Sequence, residues 1–86
     1  MEIGRRIAAA RALQRETQAQ LAQKLTRISG QEWGRNDVAA IENGRRSLKA
    51  ADLPHFAAAQ EQDFSWYLDG VLRSGEMGGY RQLAIA

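Results

Sequence analysis

The chain has 86 residues, 44% of them apolar, with one histidine, His55, and no cysteine. This is one small domain with material for a modest core, and disulfides, thiolate nucleophiles and zinc–thiolate sites are excluded. The net charge of +2 is uneven: residues 1–49 carry ten Lys/Arg against five Asp/Glu, and residues 50–86 carry two against five, which suits either a face presented to a polyanion or an ordinary solvated surface.

Ile3, Ile7, Ala10 and Leu13 recur at helical spacing between Arg5, Arg6, Arg11 and Arg15, predicting a first amphipathic helix over about 3–15. Thr17-Gln18-Ala19-Gln20 reads as a capping box, in which the threonine oxygen and the Gln20 side chain each satisfy a free backbone N–H. Leu21, Ala22 and Leu25 form the buried stripe of this second helix, prolonged by Ile28. Ser29 to Gly34 is a polar connection holding two glycines and Trp33. A third helix is predicted over about 35–42, with Val38 and Ile41 inward and Gly44 closing it in a left-handed conformation. Arg45-Arg46-Ser47 is a loop. Asp52-Leu53-Pro54 opens a fourth helix, extendable back to Ala50, with Leu53, Phe56 and Ala57 inside. Asp63 caps a fifth, in which Phe64, Tyr67, Leu68 and Val71 face inward. Beyond Arg73, Gly75, Gly78 and Gly79 end the helix propensity, and Leu83-Ala84-Ile85-Ala86 is a short apolar end, disordered or docked on a partner. No strand pattern or repeat is present. The expected class is all-α, with five helices in a domain over 1–72 and a Gly-containing tail over 73–86.

The stretches "TQAQLAQKL" (17–25), "VAAIENGRR" (38–46) and, more weakly, "DFSWYLDG" (63–70) resemble the helix-turn-helix family of lambda-type repressors and Cro proteins, over about residues 3–70. The resemblance implies a compact five-helix domain whose second helix crosses the DNA backbone while the third enters the major groove. It implies a transcriptional regulator, a repressor in the first instance, that binds a pseudo-palindromic double-stranded site as a homodimer and needs no cofactor or metal. Gln18, in the first turn of the second helix, then touches a phosphate or a base edge. Arg35 and Asn36 occupy the exposed first turn of the third helix and read bases: arginine matches guanine O6/N7 and asparagine matches adenine N6/N7. Asp37 can accept from cytosine N4, but a carboxylate near phosphates costs affinity, so capping the positive helix end is its expected role. Ala40 stands where the family often has a longer polar side chain and offers only a methyl. Thr17, Asn43, Arg45, Arg46 and Lys49 match the segments that grip the DNA backbone, the loop after the third helix doing so with main-chain N–H groups as well as basic side chains. Arg11 and Glu42 match a partly buried ion pair tying the first helix to the third.

Two departures from the family pattern stand out. Glu16 replaces the apolar residue that staples the start of the second helix, so the entry is expected to be looser or differently angled. From Leu25 to Ile41 the chain is about six residues longer than the compact motif, so the connection must bulge or lengthen the second helix. Trp33 is expected to plug the junction of helices two and three, in preference to bringing itself or Gln31 against DNA. Of Trp66 and Tyr67, one belongs to the core and the other is exposed, where beside Leu72 it suits a dimer interface. The alternative function is an antitoxin or adaptor whose tail, 73–86, orders on a protein partner. Catalysis is not expected: His55 has only Asp52 three residues earlier, and no acid–base pair or nucleophile motif accompanies it. Without an apolar signal core at Met1–Arg6 or a run of roughly 20 apolar residues, the protein is expected to be soluble and cytoplasmic, with no membrane partner.

Overall fold

In the computed structural model, which describes residues 2–68, every regular element is helical. α1 (Glu2–Leu13) buries Ile3, Ile7 and Ala10. The next position on that stripe is Gln14, because 3.6 residues per turn keeps 7, 10 and 14 in line. Gln14 Nε2 donates to the Gln60 carbonyl at 2.6 Å. Leu13, expected in the core, is instead 69% exposed. The helix stops short of its predicted end in a Schellman turn: the Arg15 N–H donates to the Ala12 carbonyl and the Glu16 N–H to the Arg11 carbonyl, with Arg15 at φ 53°.

α2 (Gln18–Ser29) opens with the predicted capping box, Gln20 N–H to Thr17 Oγ1 at 3.1 Å and Thr17 N–H to Gln20 Oε1 at 2.8 Å. Leu21, Ala22 and Leu25 are buried, whereas Ile28 in the last turn is exposed. Gly30, left-handed at φ 74°, ends the helix and returns its N–H to the Thr26 carbonyl. α2 thus runs on past Leu25 to Ser29. What remains of the connection folds back on it, because Thr26 Oγ1 accepts the Trp33 N–H at 2.9 Å while donating to the Ala22 carbonyl. Trp33 is buried with its ring edge-to-face on Phe56, centroids 5.3 Å apart; it plugs the junction as predicted.

α3 (Arg35–Glu42) buries Val38 and Ile41. Leu48 joins the core from the following loop. A 3₁₀ turn (Ala50–Asp52) leads into α4 (Leu53–Gln60), where Leu53, Phe56 and Ala57 are buried as expected, together with Ala59 and Gln60. α5, described over 64–68, buries Tyr67 and Leu68. Phe64 is 41% exposed, contrary to expectation. Helical side chains lean toward the N-terminus, so the first residue of α5 leans off its end. Trp66 is half-buried: its indole N–H donates to the Arg6 carbonyl at 2.9 Å, and the Arg6 guanidinium lies 4.9 Å over the ring. Among the described residues the exposed aromatic is thus Phe64, not Trp66 or Tyr67. Val71, Leu72, the domain boundary at 72 and the tail 73–86 lie outside the described residues. No described helix is long and apolar enough to cross a membrane.

Gln60 is fully buried and bridges three helices. Its Nε2 donates to the Ile7 carbonyl at 2.9 Å, and its Oε1 accepts the Tyr67 hydroxyl at 2.8 Å. Burial raises the Tyr67 pKa well above the usual phenol range. The folded state therefore holds this proton more tightly than the unfolded chain. Its contribution is complete below the ordinary phenol pKa of about 10 and declines as pH rises above that. Alkaline titration followed by circular dichroism should show stability falling in that window. Tyr67→Phe should remove this dependence while costing about 1–3 kcal/mol at neutral pH, because Gln60 Oε1 loses its donor.

Gly4 lets α1 cross the end of α3. A Cβ there would collide with the Ile41 carbonyl oxygen and lie 2.7 Å from that of Glu42. Both obstacles are backbone and cannot rotate away. Gly4→Ala should therefore lower stability by roughly 1–3 kcal/mol in a thermal melt, reversing the gain that alanine brings to an ordinary helix interior.

Candidate nucleic-acid interface

The start of α3 is set by its own sequence. Gly34 is extended, φ −106° and ψ 165°, and its N–H donates to Asp37 Oδ2 at 2.8 Å. Asp37 thus takes the expected capping role. Arg35 and Asn36 fill the first turn; both are exposed, and neither side chain is hydrogen-bonded among the described residues. Among the described residues the tip is helical and nothing covers it.

The end of α3 is a second Schellman turn. Gly44, at φ 79°, donates its N–H to the Ile41 carbonyl, and Arg45 donates to the Ala40 carbonyl at 2.9 Å. The Arg46 N–H reaches the same Ala40 oxygen, and the Asn43 N–H goes to Ala39. This corrects one expectation: the main-chain N–H groups of Asn43, Arg45 and Arg46 are occupied at the helix end and are not free for phosphates. The side chains of Asn43, Arg45 and Lys49 are exposed.

A polar cluster fixes α3 against the other helices. Arg11 donates through Nε to Glu42 Oε2 at 2.8 Å and through Nη2 to Oε1 at 3.1 Å. Its Nη1 donates to the Glu16 carbonyl at 2.8 Å. Gln18 Nε2 donates to Glu42 Oε1 at 3.0 Å. The Glu42 side chain is 8% exposed and that of Arg11 23%. The hydrogen bond to Glu42 raises the Arg11 pKa, against the opposing effect of burial. The Arg11–Glu42 pair expected from the sequence is present, and Gln18 is its third member. That qualifies the base-reading expectation for Gln18, whose amide nitrogen already donates to Glu42.

Glu16, expected to leave the entry to α2 looser or differently angled, is held on both sides. Its side chain is buried and paired with Lys24, and its carbonyl is held by Arg11. An ion pair stands in the place of the apolar staple. A shallow groove runs from Arg15, Thr17, Gln18 and Ala19 to Arg35, so the exposed starts of α2 and α3 share one side of the molecule. Thr17 lies exposed there, and Ala40 is half-buried further along α3.

Arg46 is placed differently from Arg45. Its Nη1 donates to Asp37 Oδ1 at 3.0 Å, and its guanidinium lies 5.1 Å from the Trp33 ring centroid. Nothing in the sequence pattern pointed to this grouping, because residues 33, 37 and 46 meet only when the chain turns back after Gly44. No hydrogen bond or ion pair joins Asp52 to His55 among the described residues; His55 is half-buried, and its Nδ1 is buried without a hydrogen-bond partner there.

Arg11→Met would leave a buried carboxylate with Gln18 as its one remaining donor among the described residues. Urea denaturation should show a loss of about 2–4 kcal/mol, and Arg11→Met combined with Glu42→Leu should recover part of it, because the stranded charge carries most of the penalty. Comparison of the chain with family models, with curated proteins and with solved structures gives no match.

Proposed function

We propose that this domain binds double-stranded DNA in a sequence-specific manner by placing the first turn of α3 in the major groove, and that it regulates transcription, as a repressor where its site overlaps a promoter. The observation that carries this reading is the exposed pair Arg35–Asn36 on a helix anchored at both ends. An eight-residue helix is about 12 Å long and 10–12 Å across with its side chains, matching a major groove about 12 Å wide. Arg35 offers a two-donor fork and Asn36 a donor–acceptor pair, the chemistries that distinguish guanine and adenine there. Arg15, Arg45 and Lys49 are exposed and form no ion pair among the described residues, which suits phosphate contacts at the flanks of α3 and the start of α2. Binding as a homodimer to two half-sites about one helical turn apart would place two such helices in successive grooves. A cytoplasmic protein associated with the nucleoid fits this role.

Selection from randomised duplexes at defined salt tests the reading. A short pseudo-palindrome should emerge. Arg35→Ala should relax preference at one base pair per half-site at a cost of about 1–3 kcal/mol. Arg45→Ala or Lys49→Ala should weaken all duplexes alike and reduce the log–log salt slope by about 0.9 for each phosphate no longer neutralised. Equal affinity of the wild type for every duplex, or identical behaviour of the two classes of variant, would remove the assignment.

A further inference from the structure

We infer that Arg46 is a base-reading side chain specific for guanine, held in place by Asp37 and by Trp33 of the lengthened connection. The inference rests on the DNA-binding reading above and extends it. Its motif position groups Arg46 with Arg45 as a backbone contact, but the structure separates the two. Arg45 is exposed and has no ion pair among the described residues. Arg46 starts at the C-terminal end of α3, where its N–H meets the Ala40 carbonyl. Its side chain runs back to the first turn, where Nη1 meets Asp37 Oδ1 at 3.0 Å. Asp37 is itself immobilised, since its other oxygen accepts the Gly34 N–H. The guanidinium also lies over the Trp33 ring, 5.1 Å from its centroid, and that ring is locked in the core against Phe56. The planar group is thus held by a carboxylate and an aromatic face, the two partners that best fix arginine geometry.

This arrangement differs from a phosphate grip in three ways. A phosphate contact needs charge within reach, and a mobile side chain supplies it; fixing the plane of the fork adds something only where orientation matters, as at guanine O6/N7. Of the Arg46 side-chain nitrogens only Nη1 has a hydrogen-bond partner among the described residues, so Nε and Nη2 remain available. Finally, Ala40 lies one turn from Asp37 on the same side of α3 and carries only a methyl. A long donor is missing from that stretch of the helix, and Arg46 brings one from outside it. Pairing with Arg46 also neutralises Asp37, a carboxylate that would otherwise repel the phosphates. Trp33 and Asp37 act through Arg46 and are positioning residues.

The experiment is selection and equilibrium binding of the whole chain on randomised duplexes at several salt concentrations. Wild type is compared with Arg46→Lys, Asp37→Asn, Trp33→Leu and Trp33→Phe, with thermal melts in parallel. The wild type should prefer guanine at a position that Arg35→Ala leaves unchanged. Arg46→Lys keeps the charge and loses the fork, so that preference should fall by about 5- to 150-fold with the salt slope unaltered. Asp37→Asn keeps an acceptor for the Gly34 N–H and loses the ion pair; it should blunt preference at the same position. Trp33→Leu should do likewise and Trp33→Phe should restore it; if the leucine variant does not melt cooperatively, Asp37→Asn decides the positioning role. A guanine preference that survives Arg46→Lys, or a weakening shared equally by all duplexes, overturns the inference and leaves the DNA-binding reading standing. A wild type that discriminates among no duplexes overturns both.

Discussion

Arg11 and Glu42, 31 residues apart, join α1 to the last residue of α3, and Gln18 brings the first turn of α2 to the same carboxylate. Arg11 also holds the Glu16 carbonyl, so one guanidinium ties together the end of α1, the start of α2 and the end of α3. Two parallel N–H···O bonds fix the planes of both groups as well as their separation. The close approach of Gly4 to the Ile41 and Glu42 carbonyls sets the distance between α1 and α3 at the same crossing. Together they define how far and at what angle α3 stands from the body of the domain. A partly buried ion pair adds little net stability compared with apolar packing, so its value here is geometric.

The connection between α2 and α3 is held by several partners at once. Gly30 stops α2. Thr26 then holds Trp33 from the main-chain side while Phe56 holds its ring. Burying an indole offsets part of the entropy cost of ordering the connection, although its Nε1 hydrogen lacks an acceptor among the described residues. The same ring underlies Arg46, so the connection and the loop after α3 are energetically linked despite their distance along the chain.

Electrostatically, three acidic residues of the first half of the chain serve the fold. Glu16 pairs with Lys24, Asp37 with Arg46 and Glu42 with Arg11. Arg15, Arg35, Arg45 and Lys49 have no ion-pair partner among the described residues. A positive excess that is modest in composition is thereby concentrated on exposed side chains around the start of α2 and both ends of α3, where it acts over a Debye length of ~10 Å.

Local signals were legible wherever a few neighbouring residues suffice. The Thr17–Gln20 capping box, the left-handed stop at Gly44, the Pro54-led start of α4 and the stripes through Ile3, Ile7, Leu21, Leu25, Val38 and Ile41 all depend on spacings of three or four residues, and each lies where the pattern placed it. Periodicity misplaced residues at helix ends, Leu13 and Phe64, because an end has no following or preceding turn to hold a side chain inward. The exposed tip at Arg35 and Asn36 was readable from polarity at the start of an apolar helix. Glu16 in an ion pair, Gln60 bridging Ile7 and Tyr67, and Arg46 drawn to Asp37 and Trp33 were not. A polar side chain in a sequence carries no mark of which distant partner will satisfy it. That pairing exists only once hydrophobic burial has brought separate helices together and excluded the water that would otherwise compete.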